Sequence, residues 1–285
     1  MKPIVQFKQV VYRYRTDRAA LTDVSFEIMD NRKTAIVGAN GAGKSTVVFH
    51  LNGLFHPSSG EVWFRGEPVT PEIRARLVDH VGIVFQDPDD QIISLTVYED
   101  VAFGLVQRGL DRQEMDRRVR YYMELVGISE LEGRNPNELS FGQKKMVSIA
   151  GVLAMETEVV VFDEPMAFLD PHGKKELQRI MNMLTDMGRT VVITTHDMQL
   201  VAEWAEDVIV MCDGKCAGIM SPNELFADRS LLAQTKLELP PMAELAAMLW
   251  QGDPHSMPIR IGELSRWLQQ QLHESLNASL PERAV

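Results

Sequence analysis

The chain has 285 residues, 45% hydrophobic and 24% charged, the profile of an ordinary globular protein with room for one large domain and an appendage. Asp and Glu outnumber Lys and Arg by 40 to 29, and a formal charge of -11 argues against a broad nucleic-acid-binding face, which needs clustered cations. The start, MKPIVQFKQV, lacks a signal-peptide core, and no apolar run approaches the roughly 20 residues that span a bilayer, so a cytoplasmic chain is expected.

The first thirty residues alternate apolar and polar side chains, as antiparallel strands do. Thr34–Val37 is an apolar run that reads as a buried strand; a glycine loop follows, then a helix opening near Lys44. PSSGEVWFRG reads as a turn and a strand, and Val81–Phe85 as another buried strand. The pattern is helical from Thr96 to Val126, with Gly127 as a C-cap signal. A polar stretch leads to LSFGQKKM, where Ser140 stands near the N-cap of a further helix. Val159–Phe162 and Thr190–Thr195 read as two more buried strands with a helix between them. Apolar strands alternating with helices predict a mostly parallel sheet covered on both faces. Cys212 and Cys216 flank Asp213-Gly214, a hairpin turn signal, and their spacing suits neither a zinc nor a redox motif. Beyond Met220 the chain is helical with Pro-containing breaks, a small appendage.

Gly38-Ala39-Asn40-Gly41-Ala42-Gly43-Lys44-Ser45-Thr46 fits G-x-x-x-x-G-K-[ST], with a buried strand before it and a helix after it. Such a loop points its amides inward to cradle phosphate oxygens, with Lys44 on the β- and γ-phosphates and the Ser45 hydroxyl on Mg²⁺. VVVFDEP ends an apolar strand in Asp163-Glu164. A carboxylate there holds magnesium through water, and its neighbour Glu164 is placed to orient or deprotonate an attacking water. His196 ends the next buried strand as a candidate contact to the γ-phosphate and water. Gln86 ends the Val81–Phe85 strand, placed to coordinate Mg²⁺ or to position water.

These elements, in this order, resemble the ATP-binding-cassette (ABC) ATPase family. Tyr14 stands as the adenine-stacking aromatic, GANGAGKST as the Walker A loop, Gln86 as the Q-loop glutamine, LSFGQ as the signature, VVVFDEP as Walker B, FLDP with Asp170 as the D-loop, and His196 as the switch histidine. The finer resemblance, carried by VGIVFQDPDDQI, TVYEDVAFGL, GQKKMVSIAGVLAM and SPNELFADRSLLAQTKLELP, is to ATPases of energy-coupling-factor importers, especially the cobalt or nickel branch.

The resemblance implies an α/β P-loop NTPase fold with a mostly parallel core sheet, an antiparallel β subdomain and a helical signature subdomain. The ATPase domain would cover residues 1–220, with the helical subdomain at about 87–156. Residues 221–285 would form a C-terminal helical appendage that holds two subunits together. It implies ATP and Mg²⁺ as cofactors, with Ser45, Gln86 and Asp163 on the metal. Each ATP would lie between Lys44, Gln86, Glu164 and His196 of one chain and Ser140, Phe141, Gly142 and Gln143 of the other. A homodimer suffices for this, and a heterodimer remains open. The partners implied are a transmembrane coupling subunit, docked at the acidic segment of Asp87, Asp89 and Asp90, and a substrate-binding membrane subunit, with the ATPase at the cytoplasmic face of the membrane. A vitamin-type energy-coupling factor and another ABC importer are the alternatives, and the transported solute stays open. Phe141, Met166 and Phe168 depart from the family's usual glycine, threonine and glycine. Phe141 is expected to pack against the facing subunit.

Overall fold

The computed structural model describes residues 2–14 and 19–279. The alternating start forms β1 (Pro3–Arg13) and β2 (Ala19–Met29), paired antiparallel. β3 (Lys33–Val37) feeds the glycine loop, and α1 (Lys44–Leu51) leaves it. β4 (Ser59–Phe64) and β5 (Glu67–Pro68) complete an antiparallel sheet of order β2-β1-β4-β5. α2 (Pro71–Leu77) is a helix the pattern did not announce, started by Thr70 as N-cap and Pro71 in the first turn.

β6 (Val81–Val84) is followed by α3 (Val97–Gln107) and α4 (Arg112–Leu125). The stretch read as continuously helical is therefore two helices. Gly109 turns the chain at φ 70°, and the Asp111 carboxylate caps α4 by accepting from the Gln113 and Glu114 amides. α5 (Phe141–Ala154), β7 (Val159–Asp163), α6 (Pro171–Asp186), β8 (Thr190–Thr195), α7 (Met198–Trp204), β9 (Asp207–Cys212) and β10 (Lys215–Met220) follow. The second sheet has the order β10-β9-β3-β8-β7-β6, parallel throughout except for the β9–β10 hairpin.

The five parallel strands are buried on both faces because they are apolar at most positions, whereas the edge strand β10 has exposed and half-buried residues in alternation. Successive residues alternate between two cores: Val160, Phe162, Val191 and Ile193 join one cluster, while Val159, Val161 and Val192 join the other with α1 and the antiparallel sheet. The tail forms α8 (Pro222–Ala227), α9 (Arg229–Thr235), α10 (Pro241–Leu249) and α11 (Ile261–Ser279). Its buried Leu225, Phe226, Leu232 and Ala243 belong to the same cluster as Val208 and Val210 of β9. Among the described residues no helix is long and apolar enough to cross a membrane. The carboxyl ends of β3, β6, β7 and β8 lie along one edge of the sheet, the place where open α/β sheets hold ligands.

Candidate functional site

The glycine loop takes its shape from close packing. A Cβ on Gly38 would lie 2.3 Å from the Met211 carbonyl oxygen, so no larger residue fits. α1 starts directly at Lys44, a residue 8% exposed whose ammonium donates to the carbonyls of Gly38 at 2.7 Å and Ala39 at 3.3 Å. Burial pushes this lysine down, and the charges of Glu164 and Asp163 push it back up. Asn40, Gly41 and Gly43 line the adjoining cleft, whereas Ala42 is buried behind the loop. That cleft, of about 640 Å³, is also lined by Tyr14, Lys44, Ser45, Thr46, Gln86, Asp163 and Glu164. The Tyr14 hydroxyl pairs with Thr46 Oγ1 at 3.1 Å, and its ring stands edge-on to Tyr12 and Phe55.

β7 delivers the two acids in different settings. Asp163 accepts from the Thr194 hydroxyl and from Ser45 Oγ at 3.5 Å. Glu164 turns the chain at φ 44°, the left-handed region, a conformation that costs a side-chain-bearing residue on the order of 1 kcal/mol. Its amide is held by the carbonyl and the hydroxyl of Thr194, both at 3.1 Å. Its carboxylate accepts from the Thr195 hydroxyl at 3.4 Å and meets His196 Nδ1 at 2.9 Å. The carboxylate side chain is 13% exposed and the imidazole 72%. His196 thus reaches Glu164 although it does not itself line the cleft.

Gln86 is fixed from behind by residues that carried no signal of a role. The Gln91 side chain accepts from the Phe85 amide at 3.0 Å and donates to the Ile83 carbonyl at 3.1 Å, extending the bonding of edge strand β6. The Lys145 ammonium, 0% exposed, donates to the carbonyls of Phe85 at 2.6 Å and Gln86 at 3.0 Å. Burial pushes Lys145 down to about 8 from its ordinary 10.5, against the opposing pull of Asp163, Asp87 and Glu164. Between those two values the unfolded chain holds more protons at this site than the folded one, so this lysine's contribution to stability rises with pH. The full swing is on the order of 3 kcal/mol. Wild type should therefore gain stability relative to Lys145→Met as pH rises from about 8 to about 10, read from denaturant midpoints. A difference that stays constant would mean that burial does not lower the proton affinity of this lysine.

Ser140 caps α5 through a reciprocal pair. Its hydroxyl accepts from the Gln143 amide at 3.4 Å, and the Gln143 side chain accepts from the Ser140 amide at 3.0 Å. None of residues 140–143 lines the cleft. The Phe141 ring meets Phe168 of the same chain, with centroids 4.5 Å apart. Asp170 caps α6 by accepting from the Gly173 amide at 2.7 Å. Asp87 accepts from the Asp89 amide at 2.9 Å, Asp89 pairs with Lys144 at 2.6 Å, and Asp90 is exposed.

The ABC transporter family profile matches residues 21–167. The energy-coupling factor transporter ATP-binding protein EcfA of Methanoculleus marisnigri is 45% identical over 247 residues, covering 86% of this chain and 89% of the relative. The chain belongs to the ABC transporter ATP-binding proteins, in their energy-coupling-factor branch. Among solved structures, cbiO1 of Clostridium perfringens, part of the ABC transporter complex cbiONQ, superposes with a TM-score of 0.73 at 38% identity, covering 86% of this chain and 99% of that one. The dimeric structure of MJ0796, a bacterial ABC transporter cassette, gives 0.70 at 25% identity, covering 76% and 98%. As an ABC ATPase, the chain binds ATP and hydrolyses it.

The energy-coupling-factor fold also brings to the phosphate loop a turn whose destination the sequence did not reveal. Asp213-Gly214, legible as a hairpin tip, lines the cleft. The Gly214 amide donates to the Ala42 carbonyl at 3.1 Å, and the Gly214 carbonyl accepts from the Thr22 amide at 2.7 Å. A Cβ on Gly214 would lie 2.6 Å from the Ala20 carbonyl oxygen, so the ATPase needs glycine there.

Proposed function

We propose that two copies of this chain enclose two ATP molecules and that hydrolysis at these shared sites drives import of a small solute, cobalt or nickel ions in the first instance. The observation that carries this reading is the half-site. Lys44, Ser45, Gln86, Asp163 and Glu164 converge on one cleft while residues 140–143 stand outside it. The α5 N-terminus, where Ser140 and the Gly142 amide lie, suits the γ-phosphate of an ATP held by a facing chain. Glu164 serves as the base for the attacking water, His196 orients it, Tyr14 stacks on adenine, and Asp170 joins the facing chain's site. The oxygen donors Ser45, Gln86 and Asp163, together in the cleft, fit Mg²⁺, a hard cation. Bound there, Mg²⁺ would neutralise charge on the phosphates. Lys44 holds the phosphates by charge, and the loop amides hold them by hydrogen bonds.

The tail, residues 221–285, contributes to pairing of the two subunits. In support, Leu245, Met248 and Leu249 of α10 leave apolar surface exposed. A membrane subunit docks beside the Q-loop, placing the chain at the cytoplasmic face of the membrane. Support for this comes from a groove of about 180 Å³ lined by Val78, Ile93, Phe103 and Asp100, with exposed Leu95 nearby. Its apolar wall suits an inserted helix, and Asp90 at its approach suits a basic partner residue. Asp89 is less available for that purpose because Lys144 already pairs with it. The cobalt or nickel reading follows the sequence resemblance carried by VGIVFQDPDDQI, TVYEDVAFGL and GQKKMVSIAGVLAM.

Uptake in cells tests the whole reading. Deleting the chain's gene should abolish accumulation of labelled cobalt or nickel, and the wild-type chain should restore it. Phe103→Asp, on the groove wall, should retain basal ATPase activity yet fail to restore uptake. Lost vitamin uptake with unchanged metal uptake would favour a vitamin-type energy-coupling factor. Full uptake with Phe103→Asp would remove this groove as the docking site.

A further inference from the structure

Two bulky rings stand where the family's usual pattern has glycines, and they meet each other. Phe141 is the first residue of α5, and Phe168 lies in the loop between Glu164 and Asp170. Their centroids are 4.5 Å apart with the planes tilted by 48°. Phe168 is 58% exposed and holds φ 63°, the left-handed region that disfavours a side-chain-bearing residue. The protein interior therefore does not hold this ring in place, and its aromatic neighbour among the described residues is Phe141. A second approach runs alongside: Leu169 Cδ2 lies 3.9 Å from where a Cβ on Gly142 would stand.

Both ends of the loop are pinned. Glu164 is tied to Thr194 at the end of β8, and Asp170 caps α6. Its middle is fastened to the start of α5. That helix start is in turn fastened to the segment around Gln86, through Lys145 on the Phe85 and Gln86 carbonyls and Lys144 on Asp89. A shift of the α5 N-terminus therefore bears on the middle of the loop that begins at Glu164.

We propose that the Phe141–Phe168 pair is a positioning link between the two ATP sites of the dimer. It joins the helix start that serves the facing chain's ATP to the loop that sets Glu164 in its own site. The link rests on the shared-site reading above. Neither ring touches reacting atoms. The pair acts by keeping the two segments in register as the chains close, so that engagement of one ATP aligns the base at the other.

The test is a double-mutant cycle on the full chain, with Phe141→Gly, Phe168→Gly and the combined variant. Glycine at 168 relieves the left-handed backbone, so that variant is expected to fold, and a thermal melt of each chain checks this. Each single variant should lower kcat about 2- to 12-fold, the range a contacting ring pair carries, and should flatten the cooperativity of ATP hydrolysis. ATP affinity of the isolated subunit should not change. The combined variant should lose no more than the worse single one, because either change already breaks the link. Phe168→Tyr, which keeps a ring at this place, should retain wild-type kcat and cooperativity. Losses that multiply in the combined variant, or single variants with wild-type kcat and cooperativity, would overturn the link. A parallel sample of Glu164→Gln separates the two levels. If it forms an ATP-dependent dimer while the cycle is additive, the link alone falls. If ATP produces no dimer, the shared-site reading falls and takes the link with it.

Discussion

Glu164→Gln should bind ATP at least as tightly as wild type, hydrolyse it about 10²- to 10⁴-fold more slowly, and accumulate as an ATP-bound dimer. The substitution preserves shape. Glutamine can still accept from Thr195 and meet His196, the partners of Glu164 at 3.4 and 2.9 Å. What it loses is proton affinity and one negative charge on the wall of the cleft. Loss of the base stalls the chemical step, and loss of the charge eases closure of the chains over ATP. Single-turnover phosphate release, with light scattering behind a sizing column, reads both effects. Hydrolysis at the wild-type rate would place the base elsewhere in the cleft.

Lys44→Ala should weaken ATP binding roughly 30-fold or more, the loss typical of truncating one partner of a buried charge pair. The cleft is lined by Asp163 and Glu164 as well as by this ammonium. Without the cation, two carboxylates face a polyphosphate, and repulsion adds to the lost attraction. Thermal stabilisation by ATP should shrink as well, since a ligand stabilises by an amount that grows with the logarithm of its concentration over Kd. Lys44→Arg should recover part of the affinity at most. A planar fork does not reproduce a compact ammonium that donates to the Gly38 and Ala39 carbonyls. ATP affinity in Lys44→Ala equal to that of wild type would mean that the loop amides alone hold the phosphates.

The sequence revealed the residues that occupy strand ends and turns, because those positions have local signatures. Val159–Phe162 reads as a buried strand from its apolar run, the structure extends it by one residue to Asp163, and the acids at its end follow from their place in VVVFDEP. Ser140 was legible as a cap from its place just ahead of a helical run, and the structure adds Gln143 as its reciprocal partner. The contacts that hold these residues in place were not legible, since they join segments far apart in the chain. Lys145 carries no local mark of burial in LSFGQKKM, yet it is wholly buried against the Phe85 and Gln86 carbonyls. Thr194 looked like strand filling, yet its hydroxyl and carbonyl fix the Glu164 amide. Phe141 was expected to face a second subunit, and within this chain its ring already rests on Phe168. Composition carries no signal for which distant residue will fill a given hole. The break between α3 and α4 was missed for a different reason: one glycine in a long amphipathic pattern is weak evidence until the following Asp111 is read as a new cap.

The shared core of the tail and the main sheet bears on how such chains diversify. Leu225, Phe226 and Leu232 pack into the same apolar cluster as Val208 and Val210, and β9 runs directly into the hairpin tip at the phosphate loop. A chain ending at Met220 would leave those strand side chains wet beside its nucleotide cleft. Grafting a relative's tail would require matching the apolar residues on both sides of the seam. Substitutions on the outward faces of α10 and α11 should therefore be tolerated better than substitutions at this seam.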